Sequence, residues 1–207
     1  MRSIEFFAGS AGITASFRSH KIDAVSLDIV NLRGCSSHDF LMDFLDFDYL
    51  SYPVDYFDII YFGLPCTAFS KASGGLHFDK NFKPLTETAL KSEIIVSRVF
   101  DIISYFSSAV WYIENPSGGL FRYLSLKKIL PRIDVFVYRI DQVLFGFPTK
   151  KQTDIFTNSA IPFLINPVHR VNGRYQKVKF DNLTLKQRQA YTPAFCDYIV
   201  HNALANF

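Results

Sequence analysis

Apolar residues along the chain follow two periods. Short runs rich in β-branched and aromatic residues, at 2–7, 24–28, 57–62, 110–113, 135–140 and 153–157, predict strands. Between them the spacing lengthens. Residues 13–20 read as a helix, and 86–106 as a longer one, because Ile95, Val99, Ile102 and Phe106 recur on one face. Near the end, Thr192-Pro193 has the form of an N-cap followed by a first helical residue, which turns Phe195, Ile199 and Ala203 toward a core. Strands alternating with helices predict an α/β fold, a mostly parallel sheet with helices on both faces.

Composition narrows the class. With 207 residues, 49% hydrophobic and 16% aromatic, the chain suits one domain over 1–207 with a core that needs no metal or disulfide. Cys35, Cys66 and Cys196 are odd in number and far apart, which predicts neither a disulfide framework nor a zinc site and implies a reducing, cytoplasmic setting. No apolar run approaches the roughly 18 residues of a membrane span, and a first strand starting near Ser3 leaves no room for a signal peptide. Charge is uneven: residues 1–120 carry 9 Lys and Arg against 14 Asp and Glu, net −5, and 121–207 carry 13 against 5, net +8. Such asymmetry suits a polyanionic partner. The segment 159–207 holds Arg170, Arg174, Lys177, Lys179, Lys186 and Arg188, interleaved with Tyr175, Phe180 and Tyr191, a composition matched to phosphates and base stacking.

Three junctions carry candidate chemistry. The first is Gly63-Leu64-Pro65-Cys66-Thr67-Ala68-Phe69-Ser70, which follows a predicted buried strand and places a thiol where open α/β sheets bind ligands. A lone cysteine is more often a small buried hydrophobe, so its company decides. At the second junction a strand runs into Ala8-Gly9-Ser10-Ala11-Gly12 and then a helix, the opening of a nucleotide-binding unit, with Asp28 suitably placed for ribose hydroxyls. The third is Glu114-Asn115-Pro116, where a carboxylate leaves another strand. Residues 71–84 form a long loop, a lid candidate with a Gly74-Gly75 hinge and His77 as a possible proton carrier. Asp43, Asp46 and Asp48 read as a solvated turn. The aromatics Phe44, Phe47 and Tyr49 beside them are open between an interface and the core.

Together these motifs resemble the cytosine-C5 DNA methyltransferase family, which uses S-adenosylmethionine. Phe6-Phe7-Ala8-Gly9-Ser10-Ala11-Gly12 is similar to its first motif, Pro65-Cys66-Thr67-Ala68-Phe69-Ser70 to its nucleophile motif and Glu114-Asn115 to its acid motif, in the family's order over roughly residues 3–158. Small stand-alone members such as those of viruses look most alike, and for a viral protein the setting would be the host cytoplasm. The resemblance implies a Rossmann-like S-adenosylmethionine-dependent methyltransferase fold. It further implies that Cys66 adds to C6 of cytosine, that Glu114 holds N3 and the amine, and that Asn115 orients the loop. By the same resemblance Glu5, Phe7, Gly9, Gly12, Asp28, Asp43 and Pro65 line the cofactor site, and Ser70, Lys71, Lys150, Lys151, Arg170 and Arg174 meet DNA. The chain departs from the family pattern in two ways. Two family arginines, one meeting cytosine O2, are matched by Gln152 and Asp154, where Gln152 can still donate to O2. The basic segment 159–207 also stands in place of a full target-recognition domain, so that low sequence selectivity and a partner protein or self-association are expected. Cytosine in RNA or as a free nucleotide stays open as a substrate, as does a catalytically weak module binding S-adenosylmethionine or nucleic acid.

Overall fold

The computed structural model describes residues 1–32, 37–70, 73, 75–129, 135–163 and 190–207. Its strands are β1 (Arg2–Phe6), β2 (Asp23–Asp28), β3 (Phe40–Leu41), β4 (Ile59–Gly63), β5 (Val110–Pro116), β6 (Phe136–Asp141) and β7 (Gln152–Thr157), paired in the order β3-β2-β1-β4-β5-β7-β6. All neighbours from β3 to β5 are parallel, and β7 is antiparallel to both β5 and β6. The order reverses between β1 and β4. Their carboxyl ends therefore open onto a crevice, the usual ligand position in such sheets.

Strand β4 shows why the inner strands read as continuous apolar runs. Ile59 and Tyr61 face helices α1 (Gly12–Ser19) and α4 (Pro193–Leu204), while Ile60 and Phe62 face α2 (Glu87–Tyr105) and α3 (Gly119–Leu126). Both faces of the strand are covered, so both sets must be apolar. The expected stripe on α2 is buried at Ile95, Val99, Ile102 and Phe106, and the helix starts where the Thr86 hydroxyl accepts from the Ala89 amide. Thr192 caps α4 in the same way through the Phe195 amide, and Phe195, Ile199 and Ala203 are fully buried.

Two features depart from the expectation, and a third settles a question it left open. β5 runs on past residue 113 to Pro116 because β7 pairs with it as far as Thr153. Helix α3, unannounced by the Gly118-Gly119 pair before it, packs its start against the loop after β4. A Cβ built at Gly119 would lie 1.7 Å from the Phe69 carbonyl oxygen, so only glycine allows this approach. Phe44 and Phe47 are core residues, each edge-on to Phe6 at 5.2 Å between ring centroids. Among the described residues no helix is long and apolar enough to cross a membrane, and no group of three or more His, Cys, Asp or Glu is placed to hold a metal.

Candidate active site

The turn after β1 is built on left-handed backbone at Phe7, Gly9 and Ala11 (φ 57°, 54° and 55°). Such conformations are costly for residues with a Cβ and need external support. Asp28 at the end of β2 supplies it, with one carboxylate oxygen accepting from the Gly9 amide at 2.8 Å and the other from the Ile29 amide at 2.7 Å. The Ala8 amide bonds the Leu27 carbonyl in addition. Gly9 faces open space, since a Cβ added there would meet nothing within 4 Å. Gly12 begins α1, beside the buried Cys196 thiol.

The other carboxylates expected at the cofactor are engaged by the protein's own groups. Glu5 is buried and accepts from the Thr14 amide (2.7 Å) and hydroxyl (2.6 Å). Burial pushes its carboxyl up to about 7, outweighing the Thr14 and Ile13 hydrogen bonds that favour the charged form. Asp43 caps the 44–46 turn through the Leu45 amide and pairs with Lys91 at 3.0 Å, contacts that hold it below the usual carboxylate range. Phe7 stands 4.6 Å from Phe44, ring to ring.

On the neighbouring side, the chain leaves β4 through Leu64 and exposes Pro65 and Cys66. Ala68 and Phe69 anchor the turn in the core, and the Phe69 and Ser70 amides both donate to the Cys66 carbonyl. Asn115 stitches this loop to β5 by donating to the Leu64 carbonyl at 3.2 Å, while the Leu64 amide donates to the Glu114 carbonyl. Glu114 itself is 5% exposed, with hydroxyls on both carboxylate oxygens: Thr153 donates to Oε1, and Tyr191 to Oε2 at 2.9 Å. Lys151 lies against the same group, its ammonium 4.9 Å from the Phe147 ring centre and 5.2 Å from that of Tyr191. Although Cys66 is exposed as a residue, protein packed around its sulfur pushes the thiol up, the Glu114 charge adds to this, and Lys151 pulls it back down. Burial lowers Lys151 in turn, against the pull of Glu114 and Cys66.

The structure thus brings together Cys66, Glu114, Asn115 and Lys151. It does not bring Gln152 to Glu114. Glu114 pairs with Ile155 and Asn115 with Asp154, so Thr153 and Ile155 share the face of Glu114 while Gln152 and Asp154 lie on the other. Asp154 is buried there, bonded by Arg139 at 2.8 Å and by the Gly118 amide at 2.9 Å. Lys150 is exposed and Ser70 half-buried, whereas Lys71, Arg170 and Arg174 lie outside the described residues. In the expected lid Gly74 is likewise outside them. Phe78 packs on Phe69 and Tyr123, and His77 bonds the Thr86 hydroxyl at 2.8 Å. Thr153 went unremarked in the sequence, and Tyr191, grouped there with aromatics suited to base stacking, instead donates to Glu114. A two-residue count along β7 from its pairing with β5 identifies Thr153, but Tyr191 comes from a part of the chain with no periodic signal.

No family model and no curated protein matches the sequence. Solved structures do. A methyltransferase of Entamoeba histolytica, EhMeth, is similar at a TM-score of 0.53 and 18% identity, over 79% of this chain and 54% of that one. A putative DNA modification methyltransferase encoded within an E. coli prophage is similar at 0.51 and 16%, over 76% of this chain and 46% of that one. The chain spans about half the length of these proteins. At such identities the likeness shows the fold alone, the mostly parallel Rossmann-like α/β sheet that these methyltransferases share.

Proposed function

We propose that the chain transfers a methyl group from S-adenosylmethionine to C5 of cytosine in DNA. The observation that carries this reading is the junction of β4 and β5: an exposed Cys66 on a loop tied by Asn115 to the strand that holds the buried carboxylate of Glu114. A thiolate leaving that loop adds to C6 of the base, which turns C5 into an enamine carbon able to accept a methyl group. Loss of the C5 proton to solvent then expels the thiolate and restores the ring. Glu114 accepts from the exocyclic amine and, in its acid form, donates to N3 as charge develops there. Lys151 is the cation beside Cys66 and Glu114 that favours the thiolate. The base must leave the duplex to reach the sulfur.

The crevice fits the cofactor by two observations. Gly9 offers an open backbone face at the turn, and the Asp28 carboxylate at the end of β2 is flanked by exposed Ile29 and Val30. Phe7, Gly9, Gly12, Asp28 and Pro65 are the residues that would hold S-adenosylmethionine, with Glu5 and Asp43 shaping the walls through their internal bonds. When bound, it supplies an activated methyl group. Exposed Lys150 and the basic segment beyond β7 suit a nucleic-acid backbone. Selection of the target falls to a partner protein or a second copy.

Incubation with tritiated S-adenosylmethionine and, separately, DNA, RNA and dCTP tests the proposal. Label in DNA cytosine is the expected result. Label in RNA or dCTP alone moves the substrate, and label in none of them overturns the enzymatic reading.

A further inference from the structure

We propose that Tyr191 is a positioning residue for Glu114, fixing the plane of its carboxylate from the side opposite Thr153. This role deepens the proposed function and rests on it for its catalytic meaning. Tyr191 stands just before the cap of α4, and its hydroxyl reaches back to Glu114 Oε2 at 2.9 Å. Three contacts fix its ring: Tyr61 edge-on at 6.1 Å, Phe195 at 5.3 Å and the Lys151 ammonium at 5.2 Å. A Cβ placed on Gly63 would lie 3.2 Å from the Tyr191 hydroxyl and 3.2 Å from the Phe7 carbonyl. The hydroxyl therefore sits where the glycine turn, the end of β4 and the acid of β5 converge.

Each carboxylate oxygen has two lone pairs. With one taken by Tyr191 and one by Thr153, the carboxylate is held from rotating, and one position on each oxygen is left for a ligand. One of them can accept from the cytosine amine, and the other, in the acid form, carries the proton donated to N3. Burial, the Glu114 charge and Tyr61 together keep the Tyr191 phenol far above its ordinary value, so it remains a donor at every working pH. The groups that face Glu114 are Tyr61 from β4, Cys66 from the following loop, Lys151 and Thr153 at β7, and Tyr191 itself.

The test is Tyr191→Phe, which keeps the ring and removes the donor. The chain has four glutamates, Glu5, Glu87, Glu93 and Glu114, so carboxyl carbon-13 labelling of glutamate gives four resonances, with Glu114 identified by Glu114→Gln. Loss of the Tyr191 hydroxyl is expected to move the Glu114 resonance and leave those of Glu87 and Glu93 in place. Methyl transfer should fall about tenfold in kcat with KM for DNA nearly unchanged. An unmoved Glu114 resonance overturns the inference even if the wild type methylates DNA. A moved resonance in a protein that methylates nothing leaves the contact standing and sinks the proposed reaction instead. Should Tyr191→Phe not fold, the ring-carbon resonance of Tyr191 next to its hydroxyl is compared between wild type and Glu114→Gln, and no change between them overturns the inference.

Discussion

The two sides of the crevice use their acidic groups in opposite ways. At the β1–β2 side, Glu5, Asp28 and Asp43 all spend oxygens on the protein's own amides or on Lys91, which leaves mainly backbone and rings to meet a ligand. At the β4–β5–β7 side, Glu114 is held by hydroxyls from two other segments, and Cys66 is displayed on an anchored loop. The first side uses carboxylates to fix its main chain. The second uses hydroxyls to fix a carboxylate and displays a thiol beside it. Substitutions should therefore disturb folding and affinity on one side and rate on the other.

The sharpest way to break that contrast is Cys66→Ala. Methyl transfer, and adduct formation with 5-fluorocytosine DNA, should vanish while unfolding by urea and calorimetric affinity for S-adenosylmethionine stay near wild type. Residual turnover would remove the thiol from the mechanism.

Next in size is the comparison of Thr153→Val with Gln152→Ala. Thr153 touches Glu114 and Gln152 lies across the sheet from it, so kcat should drop about tenfold in the first and stay close to wild type in the second. The opposite ranking in single-turnover assays would mean that the strand presents its other face to the base.

On the cofactor side, Glu5 ties stability to pH. Its carboxyl is raised in the fold from 4.5 to about 7, so its contribution is fully present below about 4.5 and is lost as pH rises toward 7. Glu5→Gln should remove roughly 3 kcal/mol of that decline, read from urea unfolding at pH 5 and pH 8. Equal slopes for the two proteins would show that Glu5 is not the group responsible. Smaller still, Asp28→Ala should weaken S-adenosylmethionine by about 1–3 kcal/mol, because the turn loses the acceptor for the Gly9 amide. Calorimetry giving one affinity for both proteins would separate Asp28 from the cofactor.

Much of the architecture was legible because burial on one or two faces leaves a period. The α2 stripe and the β4 run are of this kind, and so is the Thr192-Pro193 start of α4, which is a local hydrogen-bonding signal. The motifs around Cys66 and Glu114 were legible at strand ends, and the structure brings those two residues together. What stayed hidden was parity. β7 is buried on both faces from Thr153 to Thr157, so no alternation marks which residues look toward Glu114, and the family resemblance singled out only 152 and 154. Helix α3 was hidden for a different reason: the glycines before it signal a turn, and their packing purpose shows only once Phe69 lies against Gly119.

That contact between Gly119 and Phe69 works like a dowel joining two machined parts. Phe69 is three residues from Cys66 and Gly119 five from Glu114, so the spacing of those two groups is gauged where bare backbone meets backbone. A methyl group at position 119 would throw both halves out of true at once.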